Sequence, residues 1–521
     1  MKLIQWIAAW MRPRPVSAPA YPTGRVRAKY DAAVPGGDDR RHWQNADPLA
    51  ADAANSPEVR KRLRERARYE AANNPYCGGT LRTLAADVVG SGPGLQIQAE
   101  NDDDAKVAED RFYRWAKAVR LAKKLRLMRL LRARDGEVFA VLFTNSKLRG
   151  TPVKLDLRVY EADQFAAPRP DPNDLADGIK FDDLGNVESY TLLKYHPGDP
   201  RGGSPQGITI PARFVLHWFR EDRAGQSRGV SEITASLVIY SQYRRYAKAT
   251  LSAAETSANI SGVIETQTSP EDPDELEPLD PVDMDRNIFM TMPKGWKASA
   301  FKPEQPTTTY AEFKRAVLSE AARDLGMPYN VAAIDSSQHN FASGRLDDKV
   351  YERSIHVDRT EGEESLLDPL FAVWWEEASK ITGFIPDSIV NPPPEEFIEP
   401  GEIYIPPHSW MWDGREFLDP QKEAAGKREM LSAGLTTYAD ELAKQGKDWR
   451  EHFRQMSVEK EAAAALGITI LPQAMTAPAA PGQQPQGGGS NDDGEPDPGD
   501  GTAKPAAADA GGNQREQPAA E

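Results

Sequence analysis

Two stretches of this chain, residues 231–260 and 309–326, repeat apolar side chains at every third or fourth position, which constrains the fold more than any other feature. In the first, Ile233, Leu237, Tyr240, Tyr243, Ala247, Leu251, Ala254 and Ala258 share one helical face behind Ser231, a good N-cap. Its thirty residues, at about 1.5 Å each, predict a rod of roughly 45 Å. In the second, Thr309-Tyr-Ala-Glu312 reads as a capping box. Tyr310, Phe313, Val317, Ala321 and Leu325 share a side, and Gly326 and Pro328 stop the helix. Between the rods, residues 270–285 hold eight acids, four prolines and no base, followed by a β-like run at 287–292. Rods of this kind can pack as a plain bundle; a small acidic module between them is unusual.

The rest of the chain is long enough for more than one folding unit, at 521 residues. Its net charge of −15 excludes a generic basic coat for nucleic acid and disfavours an anionic membrane surface. No apolar run reaches 18 residues, so no membrane span is expected, and the run Met1–Trp10 is too short for an export signal. The single Cys77 fits a reducing compartment and an inert half-buried thiol. Residues 1–45 read as an extended basic arm, with six Lys/Arg and no acid in the first 30. Residues 471–521, with 8 Pro, 9 Gly, 11 Ala, eight acids and two bases, read as a disordered acidic tail.

Elsewhere the pattern alternates between periods. Helices are expected over 57–72 and over 103–134, where residues 111–134 hold ten basic side chains and no acid. Then β-branched and aromatic runs at 137–143, 153–160, 187–195 and 208–219 predict a largely antiparallel sheet region. A polar loop over 336–344 leads into a helix over 345–361. Asp368-Pro369 is expected to cap and restart a helix, and three short helices are expected over 419–466. The fold class is α+β.

Chemical motifs are few. There is no phosphate-binding P-loop, and seven scattered histidines with one cysteine offer no metal-ligand spacing. The acidic run 271–285 lacks the spacing of a calcium loop. Gly225-Gln-Ser-Arg-Gly229 matches a nucleophile elbow and lies between a strand and a helix. That motif belongs in a parallel sheet, whereas the strands here read as hairpins. A serine hydrolase centred on Ser227 is the competing enzymatic reading.

Several dispersed motifs, in order, resemble the lambda-type phage portal proteins. They are Ala71-Ala-Asn-Asn-Pro75, Asp87-Val-Val-Gly-Ser-Gly92, Arg223-Ala-Gly-Gln-Ser-Arg-Gly-Val230 and Ser261-Gly-Val-Ile264. Ala321-Ala-Arg-Asp-Leu-Gly-Met-Pro-Tyr329, Asp335-Ser-Ser-Gln-His-Asn-Phe-Ala-Ser-Gly-Arg345, Asp419-Pro-Gln-Lys-Glu423, Gly434-Leu-Thr-Thr437 and Gln455-Met-Ser-Val-Glu459 continue the agreement. The resemblance covers roughly residues 40–467; the acidic 270–285 stretch departs from it.

That resemblance implies a non-enzymatic homo-oligomeric ring, typically dodecameric, at one capsid vertex of a virion assembled in the host cytoplasm. Double-stranded DNA would pass through it without sequence specificity, driven in by the terminase large subunit and later ejected. The major capsid protein and a head-completion or tail adaptor would be the other partners, with no cofactor, metal or membrane. By the same resemblance, residues 46–222 correspond to a wing, 223–260 and 309–333 to stem helices, and 261–308 to a clip. Residues 334–345 correspond to a tunnel loop, 346–415 to long helices returning through the wing, and 416–470 to a helical crown. The DNA-channel residues would be Ser336, Ser337, Gln338, Asn340, Ser343 and Arg345, the last pairing with Asp347 or Asp348. The clip would present Glu271, Asp272, Asp274, Glu275 and Glu277 to terminase or adaptor. Gly225 and Gly229 would be turn residues, Gly229 at positive φ. The basic stretch 111–134 would be a solvated face or subunit contact, or a contact to packaged DNA.

Overall fold

The computed structural model describes residues 46–99, 101–169, 174–200, 206–259, 263–266, 296–299, 309–337, 340–391, 403–414 and 420–467. The chain divides into a unit through Arg454 and a second from Gln455, whose described part is helical. The first begins with helices α1 (Ala51–Ala54), α2 (Pro57–Asn73) and α3 (Pro75–Val89), strand β1 (Gly94–Ile97), and helices α4 (Asp102–Ala118) and α5 (Leu121–Asp135). Strands β2 (Glu137–Thr144), β3 (Leu155–Glu161), β4 (Ile179–Phe181), β5 (Val187–Leu193), β6 (Gly207–Pro211) and β7 (Val215–Phe219) follow. Next come α6 (Leu237–Asn259), β8 (Val263–Thr266), β9 (Trp296–Ser299), α7 (Thr309–Arg323), α8 (Tyr329–Ala333) and α9 (Phe341–Gly362). A π-helical turn, Glu363–Leu367, joins α9 to α10 (Asp368–Ser379). The chain closes with α11 (Asp387–Val390), β10 (His408–Met411), α12 (Pro420–Ser432), α13 (Tyr438–Ala443) and α14 (Trp449–Ala465).

Local chemistry explains the helix starts. Ser56 caps α2 ahead of Pro57, and Asn74 ends α2 while accepting from the Tyr76 and Cys77 amides to begin α3. All strand pairings among the described residues are antiparallel, in the orders β3-β2-β7, β4-β5-β6, β1-β10 and β8-β9. The main core gathers Phe112, Trp115, Phe371, Trp374 and Trp375, with Phe112 edge-on to Trp374 at 5.1 Å. A smaller core lies where β2, β5 and β7 meet, Phe139 stacking on Phe165 at 4.1 Å.

The single helix expected over 103–134 is two. Val119 and Leu121 are both buried, and an unbroken helix would put them on opposite faces. Arg120, left-handed at φ 56°, resets the rotation between α4 and α5. The run over 208–219 also divides, because Pro211 precedes a 3₁₀ turn that sends β6 and β7 into different sheets. Asp368 caps nothing: Leu367 before it is right-handed helical, and the Asp368 carboxylate accepts from Trp410 Nε1 at 2.7 Å instead. The expected arm 1–45, tail 471–521 and β-like run 287–292 lie outside the described residues.

Candidate functional site

The connector between β7 and the first rod is built around buried charge. Gly225 turns the chain at φ 79°, and the Gln226 amide closes the turn, donating to the carbonyls of Arg220 (3.2 Å) and Arg228 (2.9 Å). Arg228 is 1% exposed and donates to Glu137 at 2.7–3.0 Å and to the Ala176 and Asp177 carbonyls. Glu137, fully buried, also accepts from Arg64 (3.3 Å) and the Gly229 amide (3.0 Å), and faces His217 Nε2 at 3.2 Å. Burial alone would push Glu137 up; Arg228 and the His217 hydrogen bond outweigh it and hold the carboxyl well below its usual range. Burial lowers His217, against the pull of Glu137.

Gly229 is required here for closeness, not for positive φ. A Cβ on it would lie 2.7 Å from the Gly136 carbonyl carbon and 2.8 Å from Glu137 Cβ. Gly136, at φ 94°, faces Val230 and Ser231 in return, so the two glycines interlock. Gly229→Ala should therefore destabilise the subunit by about 3 kcal/mol or more, read as a fall in the urea midpoint. A midpoint within error of wild type would show that the backbones can separate without cost.

A second buried cluster sits one turn on. Arg129 forks onto both Glu232 oxygens (3.1 and 2.9 Å) and reaches Asp358 at 2.6 Å. Arg132 reaches Asp358 (2.8 Å) and Glu361 (2.7 Å). Burial pushes Glu232 up, and Arg129 and Arg132 more than reverse it. These bonds join α5, the connector and α9. Ser236 adds α7: its hydroxyl donates to the Ala321 carbonyl at 2.9 Å and lies 3.0 Å from Asp324.

The rods are consequently shorter than their apolar repeat suggests. Ser231 donates its hydroxyl to the Ala133 carbonyl rather than capping, and α6 starts at Leu237, giving roughly 35 Å. The second rod ends at Arg323, before the turn at Gly326, and α8 follows as a separate helix. The rods meet where Tyr246 stacks on Tyr310 at 6.0 Å and meets Phe313 edge-on at 4.8 Å. Leu318, Ala321, Ala322 and Leu325 are buried, while Phe313 is 47% exposed.

The polar loop is shorter too. Ser336 and Ser337 are exposed, and the Ser337 amide donates to Asp335 at 3.1 Å. Asn340 begins α9 through a capping box: its carboxamide accepts from the Ser343 amide (2.8 Å), and Ser343 Oγ accepts from the Asn340 amide (3.2 Å). Ser343 and Arg345 thus lie in the first turns of α9. Arg345 faces Glu423 at 3.7 Å, not Asp347 or Asp348. Gln338 and the acidic Glu271, Asp272, Asp274, Glu275 and Glu277 lie outside the described residues.

At the elbow motif the serine is engaged by a carboxylate. Ser227 Oγ donates to Asp52 at 2.8 Å, and its amide to the other Asp52 oxygen at 2.8 Å, with no histidine among the described residues bonded to it. Its preceding strand, β7, is antiparallel. Glu161, Asp163 and His196 could together contact a metal ion. Arg68 and Arg134 already hold those carboxylates at 2.6–3.6 Å, so the donor set is neutralised from within.

The ten basic residues of 111–134 divide. Arg111 and Arg126 donate to carbonyls, Lys124 pairs with Asp156, Arg134 with Asp135 and Glu161, and Arg129 and Arg132 form the buried cluster. Those six serve the subunit itself, which neither a solvated face nor a partner contact anticipates. The signal was present in the spacing: Leu121, Leu125, Met128 and Leu131 are buried, and Arg129 and Arg132 continue the same interior side.

Comparison with known proteins identifies a family. The one described as phage portal protein, lambda family, matches residues 37–357. A probable portal protein of Halomonas phage phiHAP-1 is 25% identical over 440 residues, covering 78% of this chain and 81% of that one. The portal protein of Escherichia phage N15 is 25% identical over 160 residues, 30% and 29% of the two chains. Among solved structures, the neck of an empty gene transfer agent particle computed with C6 symmetry aligns at TM-score 0.43 and 15% identity, covering 74% of this chain and 93% of that one. The neck of the native particle computed with C12 symmetry aligns at 0.38 and 13%, covering 75% and 94%. With the family matched across both rods, the connector and the polar loop, the chain belongs to the lambda family of phage portal proteins.

Proposed function

We propose that this portal protein closes into a homo-oligomeric ring at a capsid vertex, and that double-stranded DNA enters and leaves through its channel. The observation that carries the reading is the family match over 37–357, which takes in every element a conduit needs: connector, two rods and loop. The charge agrees, since a chain of net −15 does not grip a polyanion. The exposed hydroxyls of Ser336 and Ser337 offer exchangeable, water-bridged contacts to phosphates, and we assign the channel to that loop. The 261–308 segment would face the terminase large subunit and then the tail adaptor, with the major capsid protein around the wing. The role is structural and the place is the virion. No helix among the described residues is long and apolar enough to cross a membrane.

Mass photometry and negative-stain imaging of the purified chain test the ring directly; a stable monomer at micromolar concentration in near-physiological salt would overturn it. Ser227→Ala tests the competing hydrolase. It removes one hydrogen bond, costing about 1 kcal/mol, and should leave packaged DNA per head unchanged. Esterase activity that vanishes in this variant would reinstate the enzyme.

A further inference from the structure

Four of the ten cations in 111–134 remain after the internal pairings are assigned: Arg114, Lys117, Arg120 and Lys123. All four are exposed, and none of their side chains makes a hydrogen bond or ion pair with a described residue. They recur at three-residue spacing from the end of α4, through the corner, into α5. The four lie within ten consecutive residues. No acid is interleaved, although the chain as a whole is acidic. Arg120 also occupies the left-handed region at φ 56°, where glycine would sit without strain.

The structure assigns to the α4–α5 corner a second contact for the sugar-phosphate backbone of double-stranded DNA, separate from the channel loop and made by Arg114, Lys117, Arg120 and Lys123. An acidic protein is the weaker fit. Lysine is depleted from the cores of protein–protein interfaces, which bury an apolar centre. Phosphate contacts come from lysine and arginine alike and require no apolar centre. The six paired neighbours stiffen the platform: Arg126 is tied to the Gly90 carbonyl and Lys124 to Asp156 at 2.6 Å, so the corner is presented by anchored helices. This contact does not depend on the channel reading, because DNA held at the corner need not thread the ring.

Covalently closed circular duplex DNA separates the two, since it has no end to enter a closed channel. The full-length protein should bind the circle with an affinity that falls steeply with salt. Replacing Arg114, Lys117, Arg120 and Lys123 together by Gln should lower that affinity at least ten-fold at about 50 mM salt and flatten the salt dependence, with oligomer size unchanged. Arg120→Gly alone should raise the unfolding midpoint while weakening circle binding, a pairing that a purely structural arginine does not give. Wild type that ignores the circle at that low salt overturns the assignment, as does a quadruple variant of native size that binds it as tightly. Equal competition by polyglutamate at matched charge would also overturn it, marking the corner as a seat for acidic protein.

Discussion

Replacing Glu137 by alanine should destabilise the subunit by about 3–5 kcal/mol, because it leaves the buried Arg228 with no carboxylate and Arg64 with Asp163 alone, at 3.4 Å. Arg228, at 1% exposure, has carbonyl partners but no other carboxylate among the described residues within ion-pair distance. The Gly229 amide loses its acceptor in the same step. Equilibrium urea unfolding of the wild type and of Glu137→Ala measures the loss; a change under about 1 kcal/mol would show that solvent reaches the cluster. Glu137→Leu combined with Arg228→Leu should recover much of it, since the penalty is the unpaired charge rather than the missing pair. The pH dependence has a fixed sign. Glu137 titrates below its ordinary 4.5 in the folded chain, so its contribution is complete above that value and is lost as pH falls through the lower folded one. His217 is also depressed, from an ordinary 6.5. The unfolded chain therefore takes up that proton first, and stability declines as pH falls below about 6.5. His217→Gln should remove the second slope.

Adding cations to the loop should stall DNA movement without disturbing the ring. Ser336→Lys with Ser337→Lys places two ammonium groups per subunit on exposed backbone that carries no cap. Asn340 and Ser343 are left intact because they begin α9; Asn340→Ala would cost about 1 kcal/mol of helix and confuse the result. Every further phosphate that a lysine neutralises steepens the fall of log affinity with log salt by roughly 0.9. Packaged DNA per head should therefore drop several-fold at low salt and recover as salt rises, an outcome that misfolding does not produce. Packaging equal to wild type at low salt would remove the loop from the channel.

The parts of the fold governed by local spacing were legible in the sequence. Both rods, the antiparallel strands and the three C-terminal helices follow from periodicity and turn residues. Their limits did not follow, because distant partners set them. Ser231 looks like a cap until Ala133 claims its hydroxyl, and 111–134 looks like one basic helix until Val119 and Leu121 must both face inward. Asn340 and Ser343 form a box without the usual Glu or Gln, so the sequence shows no helix start there and the loop is shorter than its polar run. Gly229 illustrates the same limit: the residue type is evident, while its cause, the Gly136 backbone, lies 93 positions earlier in the chain.

The π-helical turn at Glu363–Leu367 has a consequence for how this chain tolerates changes in length. An α-helix advances about 100° per residue, and a π turn absorbs one extra residue without advancing the helix. Counted that way, Trp374 falls on the same azimuth as Ile355, and both are buried in the main core. Deleting the exposed Glu364 therefore leaves an unbroken α-helix in which Ile355 and Trp374 still share that azimuth. An inserted residue has no such outlet: it turns Leu370, Phe371 and Trp374 by about 100° out of the core, or forces a second π turn. The turn thus holds one residue in surplus, and this helix tolerates shortening better than lengthening.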